Sequence, residues 1–234
     1  MLKFNKVFRL TIQSNDNLNE AIVIEPPFTV EFDINRDMGA QANTGNFKIT
    51  NLGSQTRKRI FQDIFSLSVD RKVIFEAGYN GKLTTLFVGT LKTAYSSRSS
   101  TEIITELNCW DEGFGAMTTA FINKTYSAGW TQKDIITAQM KSLSTNHNLQ
   151  MGQVGEFDTN KNPRGVSLIG NSFAVLNKTA DGFVFVDNNT IHALQTHEVI
   201  DALVPVINSA TGLLGTPKRQ DAKLTAECIF EPGI

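Results

Sequence analysis

Apolar and polar residues alternate one by one through much of the first half of the chain. Phe8, Leu10 and Ile12 alternate with Arg9, Thr11 and Gln13, and Phe28, Val30, Phe32 and Ile34 alternate with Thr29, Glu31, Asp33 and Asn35. A period of two sends one set of side chains to a core face and the other to water, so both stretches predict half-buried β-strands. FKITNL (47–52), RKVIFEAGY (71–79), TTLFVGTLKTAYS (84–96) and EIITELNCW (102–110) predict four more. Asn80 and Gly81 tolerate positive φ and supply a turn between two of them. Many antiparallel strands at short spacing predict a barrel or sandwich.

Two kinds of interruption break this rhythm. SQTRKRIFQDIF (54–65) predicts one helix between strands, with Ser54 as N-cap and an apolar stripe of Ile60, Phe61, Ile64 and Phe65, while Arg57, Lys58 and Gln62 face water. After Gly115 the period becomes helical. TQKDIITAQMKSL (131–143) predicts a helix with Thr131 as cap, Asp134 three residues on, and Ile136, Met140 and Leu143 on one face. A polar loop (155–165) follows, then a second helix over NSFAVLNKTADG (171–182) stopped by Gly182. FVFVDNNTIHAL (183–194) predicts a hairpin turning at Asp187 to Asn189. From Val199 the β character resumes, and in KLTAECIF (223–230) Leu224, Ala226, Cys228 and Phe230 share a face.

Composition narrows the function classes. The 234 residues are 41% hydrophobic, enough for a substantial core, and 22 basic against 23 acidic residues leave a formal net charge of −1. Without a Lys/Arg block, an electrostatic nucleic-acid binder is not expected. No apolar run approaches the roughly 18 residues of a membrane span. The N-terminal residues carry no apolar leader segment, so the Asn-x-Thr sites at Asn123, Asn177 and Asn188 are not expected to be glycosylated. Two cysteines, Cys109 and Cys228, each sit in an apolar run and read as buried thiols of a reducing compartment.

The one stretch with catalytic overtones is LNCWDEGFG (107–115), a thiol followed by two carboxylates and two glycines. Cys109 is in register with Ile103, Thr105 and Leu107, and its neighbours Asp111 and Glu112 would raise rather than depress its pKa, so it reads as structural, with Asp111 to Gly115 as an exit turn. His192, His197, Glu198 and Asp201 lack the His-Glu-x-x-His spacing of a zinc protease; positions 192 and 197 would point opposite ways on one strand, and the segment reads as a solvated turn. His147 has no sequence-evident partner. Residues 170–176 lack Gly-x-Ser-x-Gly, and Gly212 and Gly215 lack the ending of a phosphate loop. No catalytic, cofactor-binding or metal-binding residue is assigned.

The string IFEAGYNGKLTTLFVGTLKTAYSSR followed by TELNCWD resembles the first barrel of baseplate hub proteins of tailed bacteriophages, the T4-like hub group. The features that carry the likeness are Ile49 to Leu52 before a basic helix at Arg57 to Ile64, the turn Ala77, Gly78 and Tyr79, the strand Leu86 to Gly89, and Ala94 to Ser96 with a strand into Asp111. The helix opening TQKDII, the segment 172–191 and the segment 212–234 are similar to later parts of the same family.

This resemblance implies a mainly β fold with an α/β insertion (α+β): a tail-tube-like β-barrel with one covering helix (1–113), a small α/β domain (114–198) and the start of a second β-barrel that is incomplete at Ile234 (199–234). It implies a structural, non-enzymatic component of the virion's baseplate, assembled in the host cytoplasm. The expected form is a ring, a trimer, that links the tail tube protein to the central spike protein, with a tape measure protein as a further candidate partner. No sequence-specific nucleic acid and no cofactor is implied. The rivals are another tail-tube-like protein, such as a distal tail or tube protein, and a tail-associated cell-wall hydrolase.

Overall fold

Seven strands form the first sheet of the computed structural model, which describes residues 4–38, 42–63, 70–111, 113–201, 205–221 and 223–232. They are β1 (Lys6–Gln13), β2 (Ala21–Ile24), β3 (Val30–Asn35), β4 (Thr44–Thr50), β5 (Lys72–Tyr79), β6 (Lys82–Ser99) and β7 (Glu102–Asp111), with helix α1 (Ser54–Ile60) between β4 and β5. The sheet is antiparallel, in the order β2-β1-β5-β6-β7-β4-β3. The alternation of the sequence sets the register: Leu10 and Ile12 on β1, Val73 and Phe75 on β5, Leu107 and Cys109 on β7 all point into one core. Asn80 and Gly81 both take positive φ, as the β5–β6 turn requires.

The sheet is rolled. β3 and β5 stand four places apart in the hydrogen-bonded order, which in a flat sheet is roughly 19 Å. Yet the rings of Phe32 and Phe75 are 4.7 Å apart, and those of Phe47 and Phe75 are 5.0 Å apart. The apolar face has therefore closed on itself around these phenylalanines.

The middle of the chain builds a second core. Its elements are α2 (Gly113–Thr119), β8 (Phe121–Tyr126), α3 (Gln132–His147), β9 (Gln150–Val154), β10 (Val166–Asn171), α4 (Ser172–Ala180), β11 (Phe183–Asp187) and β12 (Thr190–Leu194). A three-stranded sheet runs β11-β12-β9, with β9 parallel to β12, and β8 pairs with β10 in a separate ribbon. α3 begins on the expected capping box: the Thr131 hydroxyl accepts the Asp134 N–H at 3.0 Å, and the Asp134 carboxylate accepts the Thr131 N–H at 3.2 Å. Ile136, Met140 and Leu143 pack with Phe173, Leu176, Val184 and Ile191. Burying each such side chain contributes about 1.5–3 kcal/mol. The last hairpin, β13 (Leu213–Gln220) and β14 (Lys223–Cys228), is mostly exposed. Beyond it Phe230 packs on the first core, and its carbonyl accepts the Tyr79 hydroxyl at 2.8 Å.

Several local expectations are corrected. Ser54 is the first helical residue of α1; the N-cap is Gly53, with no side-chain bond. Phe61 ends the helix and is exposed, and Ile64 and Phe65 lie outside the described residues. On the terminal strand β3 and just before it, Phe28 and Phe32 are exposed rather than fully buried, because an end strand is covered on fewer sides. The left-handed stop of α4 is Asp181, at φ 49°, not Gly182. Gly182 is needed for another reason: a Cβ there would lie 2.3 Å from the Leu194 carbonyl oxygen. Leu224 and Ala226 share their face as expected but stand in solvent. The exit turn of Asp111 to Gly115 is instead the end of β7 and the start of α2. β2, β8, β9 and β10 were not evident in the sequence.

Candidate functional site at the junction of the two cores

The place where polar side chains converge is the seam between the rolled sheet and the α/β unit. The β11–β12 turn supplies one side. Asn188 and Asn189 both adopt left-handed φ (46° and 68°), which makes a tight two-residue connection. The end of the sheet supplies the other. The Asn43 amide donates to the Val186 carbonyl at 2.9 Å and accepts the Asp37 N–H at 2.9 Å. Val88 N–H donates to the Asn188 side-chain oxygen at 3.2 Å, and Arg36 pairs with Asp187 at 3.6 Å. Gly113 lies so close that a Cβ would sit 2.6 Å from Val186 Cβ.

Asp111 is at the centre of this seam. Only 2% of it is exposed, and its carboxylate accepts the Gly113 N–H at 2.9 Å. Burial pushes its pKa up to about 6, and the nearby Asp187 carboxylate adds to this. Hydrogen bonds from the Gly113 and Asn188 backbones and from the Asn43 side chain oppose it. A carboxyl so placed can lock the turn to the sheet.

The sequence candidates do not gather there. Cys109 is fully buried in the first core, and burial alone pushes its thiol far above the ordinary value. The carboxylate effect expected from Asp111 and Glu112 is thus not the cause, and Glu112 lies outside the described residues. A thiol reagent is expected to label half-buried Cys228 in the native protein and to leave Cys109 untouched; rapid double labelling would contradict this. Cys109→Ala should cost about 1 kcal/mol by opening a small cavity.

His192 is on β12, stacked on Phe185 at 5.3 Å, and its Nδ1 accepts the Gln153 N–H at 3.1 Å. Its pKa is lowered, chiefly by burial. His197 lies beyond that strand, in a turn after β12, as the sequence predicts. Glu198 accepts the N–H groups of Gln195 and Glu156, each at 2.7 Å, and so staples two loops. His147 closes α3. Among the described residues no three His, Cys, Asp or Glu side chains converge as a metal site would require.

Sequence reading missed Asn43, Asn188, Arg71 and Gln139. Only Gln139 leaves a signal: it is the polar member of the stripe Ile136, Met140 and Leu143. Two atoms of its amide are buried without a partner among the described residues, an arrangement that costs about 1–3 kcal/mol.

Residues 7–234 match the family described as baseplate hub gp41. No curated protein matches. Among solved structures, the chain is similar to the 43 kDa tail protein of prophage MuSo2 from Shewanella oneidensis, with TM-score 0.52 and 8% identity over 79% of this chain and 53% of that one. It is also similar to a tail protein from Neisseria meningitidis MC58, with TM-score 0.48 and 12% identity over 81% of this chain and 50% of that one. At such identities the first likeness concerns the fold alone, and the chain spans about half the length of these proteins. Because the family match runs through both cores and the final hairpin, the chain belongs to the baseplate hub gp41 family, structural components of the bacteriophage tail baseplate.

Proposed function

We propose that this chain is a subunit of the hub ring in the virion's baseplate, assembled in the host cytoplasm, linking the tail tube to the central spike. The observation that carries this reading is the family match over residues 7–234. The rolled seven-stranded sheet supports it, since a sheet whose face closes on Phe32, Phe47 and Phe75 is the natural core of a tube-like barrel. In this reading 1–113 is the first barrel, 114–198 the α/β domain and 199–234 the opening of a second barrel. The exposed Leu214 and Leu224 on the last hairpin then await further strands. Unpaired strand edges favour pairing with like subunits, and cyclic symmetry closes such contacts, here as a trimer. The role is structural rather than catalytic.

A map of the intact tail tests this by counting copies around its axis. Three copies at the tube–spike junction are expected. Any other number, or a position along the tube or distal tail, rejects the hub ring, and clearing of a cell-wall gel by the purified protein rejects the non-enzymatic role.

A further inference from the structure

Gln139 lies in the apolar stripe of α3 and is 2% exposed, and neither its Oε1 nor its Nε2 has a hydrogen-bond partner among the described residues. It lines a cleft of about 180 Å³ between α3 and the start of β8, together with Ser142, Asn146 and His147 from α3 and the buried Ser172. The ribbon beside the cleft is incomplete. Among the described residues β8 is paired along one edge only, with β10. Phe121, which also lines the cleft, is 70% exposed, and Ile169 is 65% exposed. Phe121 is opposite Asn171 and Ile169 opposite Asn123, so the two apolar side chains are diagonal neighbours on one face.

The buried amide selects its ligand. It offers one acceptor and one donor. A carboxylate would satisfy only the donor and an ammonium only the acceptor. A primary carboxamide presents N–H and C=O on the same edge and can meet both at once. A trans secondary amide, whether of a peptide backbone or an N-acetyl sugar, holds them on opposite edges and cannot. The unpaired edge of β8 fits an extended polypeptide, and Phe121 and Ile169 give that strand an apolar surface. We propose that the cleft receives the Asn or Gln side chain of a partner polypeptide strand that adds to the edge of β8. The argument for this site does not use the subunit count of the ring.

Nuclear magnetic resonance of the whole isotope-labelled chain tests it. The probes are propionamide, N-methylacetamide, N-acetylglucosamine and two blocked tripeptides, acetyl-Thr-Gln-Val-N-methylamide and its Glu counterpart. Saturable shifts at the Gln139 side chain and at Phe121 and Ile122 are expected with propionamide and the Gln peptide, with the Gln peptide binding at least tenfold tighter than the Glu peptide. Gln139→Met is expected to abolish these shifts. The proposal is overturned if no probe saturates, if N-methylacetamide or N-acetylglucosamine binds as well as propionamide, or if the two peptides bind alike. That last comparison uses the unaltered protein, so the test survives should Gln139→Met not fold.

Discussion

Replacing Arg71 with methionine is expected to lower the stability of the protein by about 3–5 kcal/mol. Arg71 is almost fully buried, immediately before β5. Its guanidinium donates to five acceptors: the carbonyls of Gln13 (2.6 and 2.9 Å), Arg59 (2.9 Å), Ile60 (2.8 Å) and Phe61 (3.2 Å), and the Gln62 side chain (3.0 Å). Three of these are carbonyls at the C-terminus of α1, which an α-helix leaves without internal partners. One fork thus ties the helix to β1. Burial pushes its pKa down to about 10, with Asp16 opposing, so it stays protonated at neutral pH. Methionine would fill the space and leave the carbonyls dry. Lysine, with a single nitrogen, cannot reach five acceptors and should lose more than half as much stability. Urea unfolding of both variants decides this; a wild-type midpoint for Arg71→Lys would show that the fork is dispensable.

The second large effect concerns pH. Asp111 titrates near 6 when folded, against 3.8 for an exposed carboxyl, so the native state holds its proton more tightly. Its stabilising contribution is therefore complete below the unfolded pKa and is lost as pH rises through about 6. Asp111→Asn mimics the protonated form at every pH. Relative to the wild type, the variant should gain roughly 2 kcal/mol between about pH 4.5 and pH 7.5. Asp187, the other carboxylate in the seam, is present in both proteins, and its repulsion of the Asp111 carboxylate is part of the effect that the comparison reads. Parallel curves for the two proteins across that range would mean that Asp111 is not titrating in the folded state.

Much of the first sheet was legible because period-2 alternation is enforced wherever one face is buried: Leu10, Ile12, Leu107 and Cys109 all kept the register read from the chain. The reading failed where that pressure is weak. β2 is only four residues long, and the β8–β10 ribbon carries Asn123, Lys124 and Thr125 in solvent, so neither shows a clean pattern. Helix stops failed for a different reason. Asp181 adopts the left-handed conformation that Gly182 was expected to supply, Asn148 does the same after α3, where the sequence predicted no particular stop, and several asparagines do so in turns. The seam was invisible because the bonds that cross it join residues a hundred or more positions apart, as Asn43 and Val186 are, and no local period encodes that. Arg71 was hidden too, since a lone arginine before a strand looks like a surface charge until α1 folds over it.

The placement of Phe230 has a consequence for synthesis. Apart from that residue, the first core is drawn, among the described residues, from the run between Phe8 and Cys109, and all of it emerges from the ribosome before the α/β unit is complete. Phe230 is translated about 120 residues after Cys109, on the order of 10 s later at ordinary elongation rates. A rolled sheet of this size closes within milliseconds to seconds. Nascent chains thus pass through a long interval in which the sheet is formed but Phe32 and Tyr79 still lack the ring that later packs against both. In that interval these aromatics face the crowded cytosol and whatever factors attend the ribosome, and the arrival of Phe230 ends it.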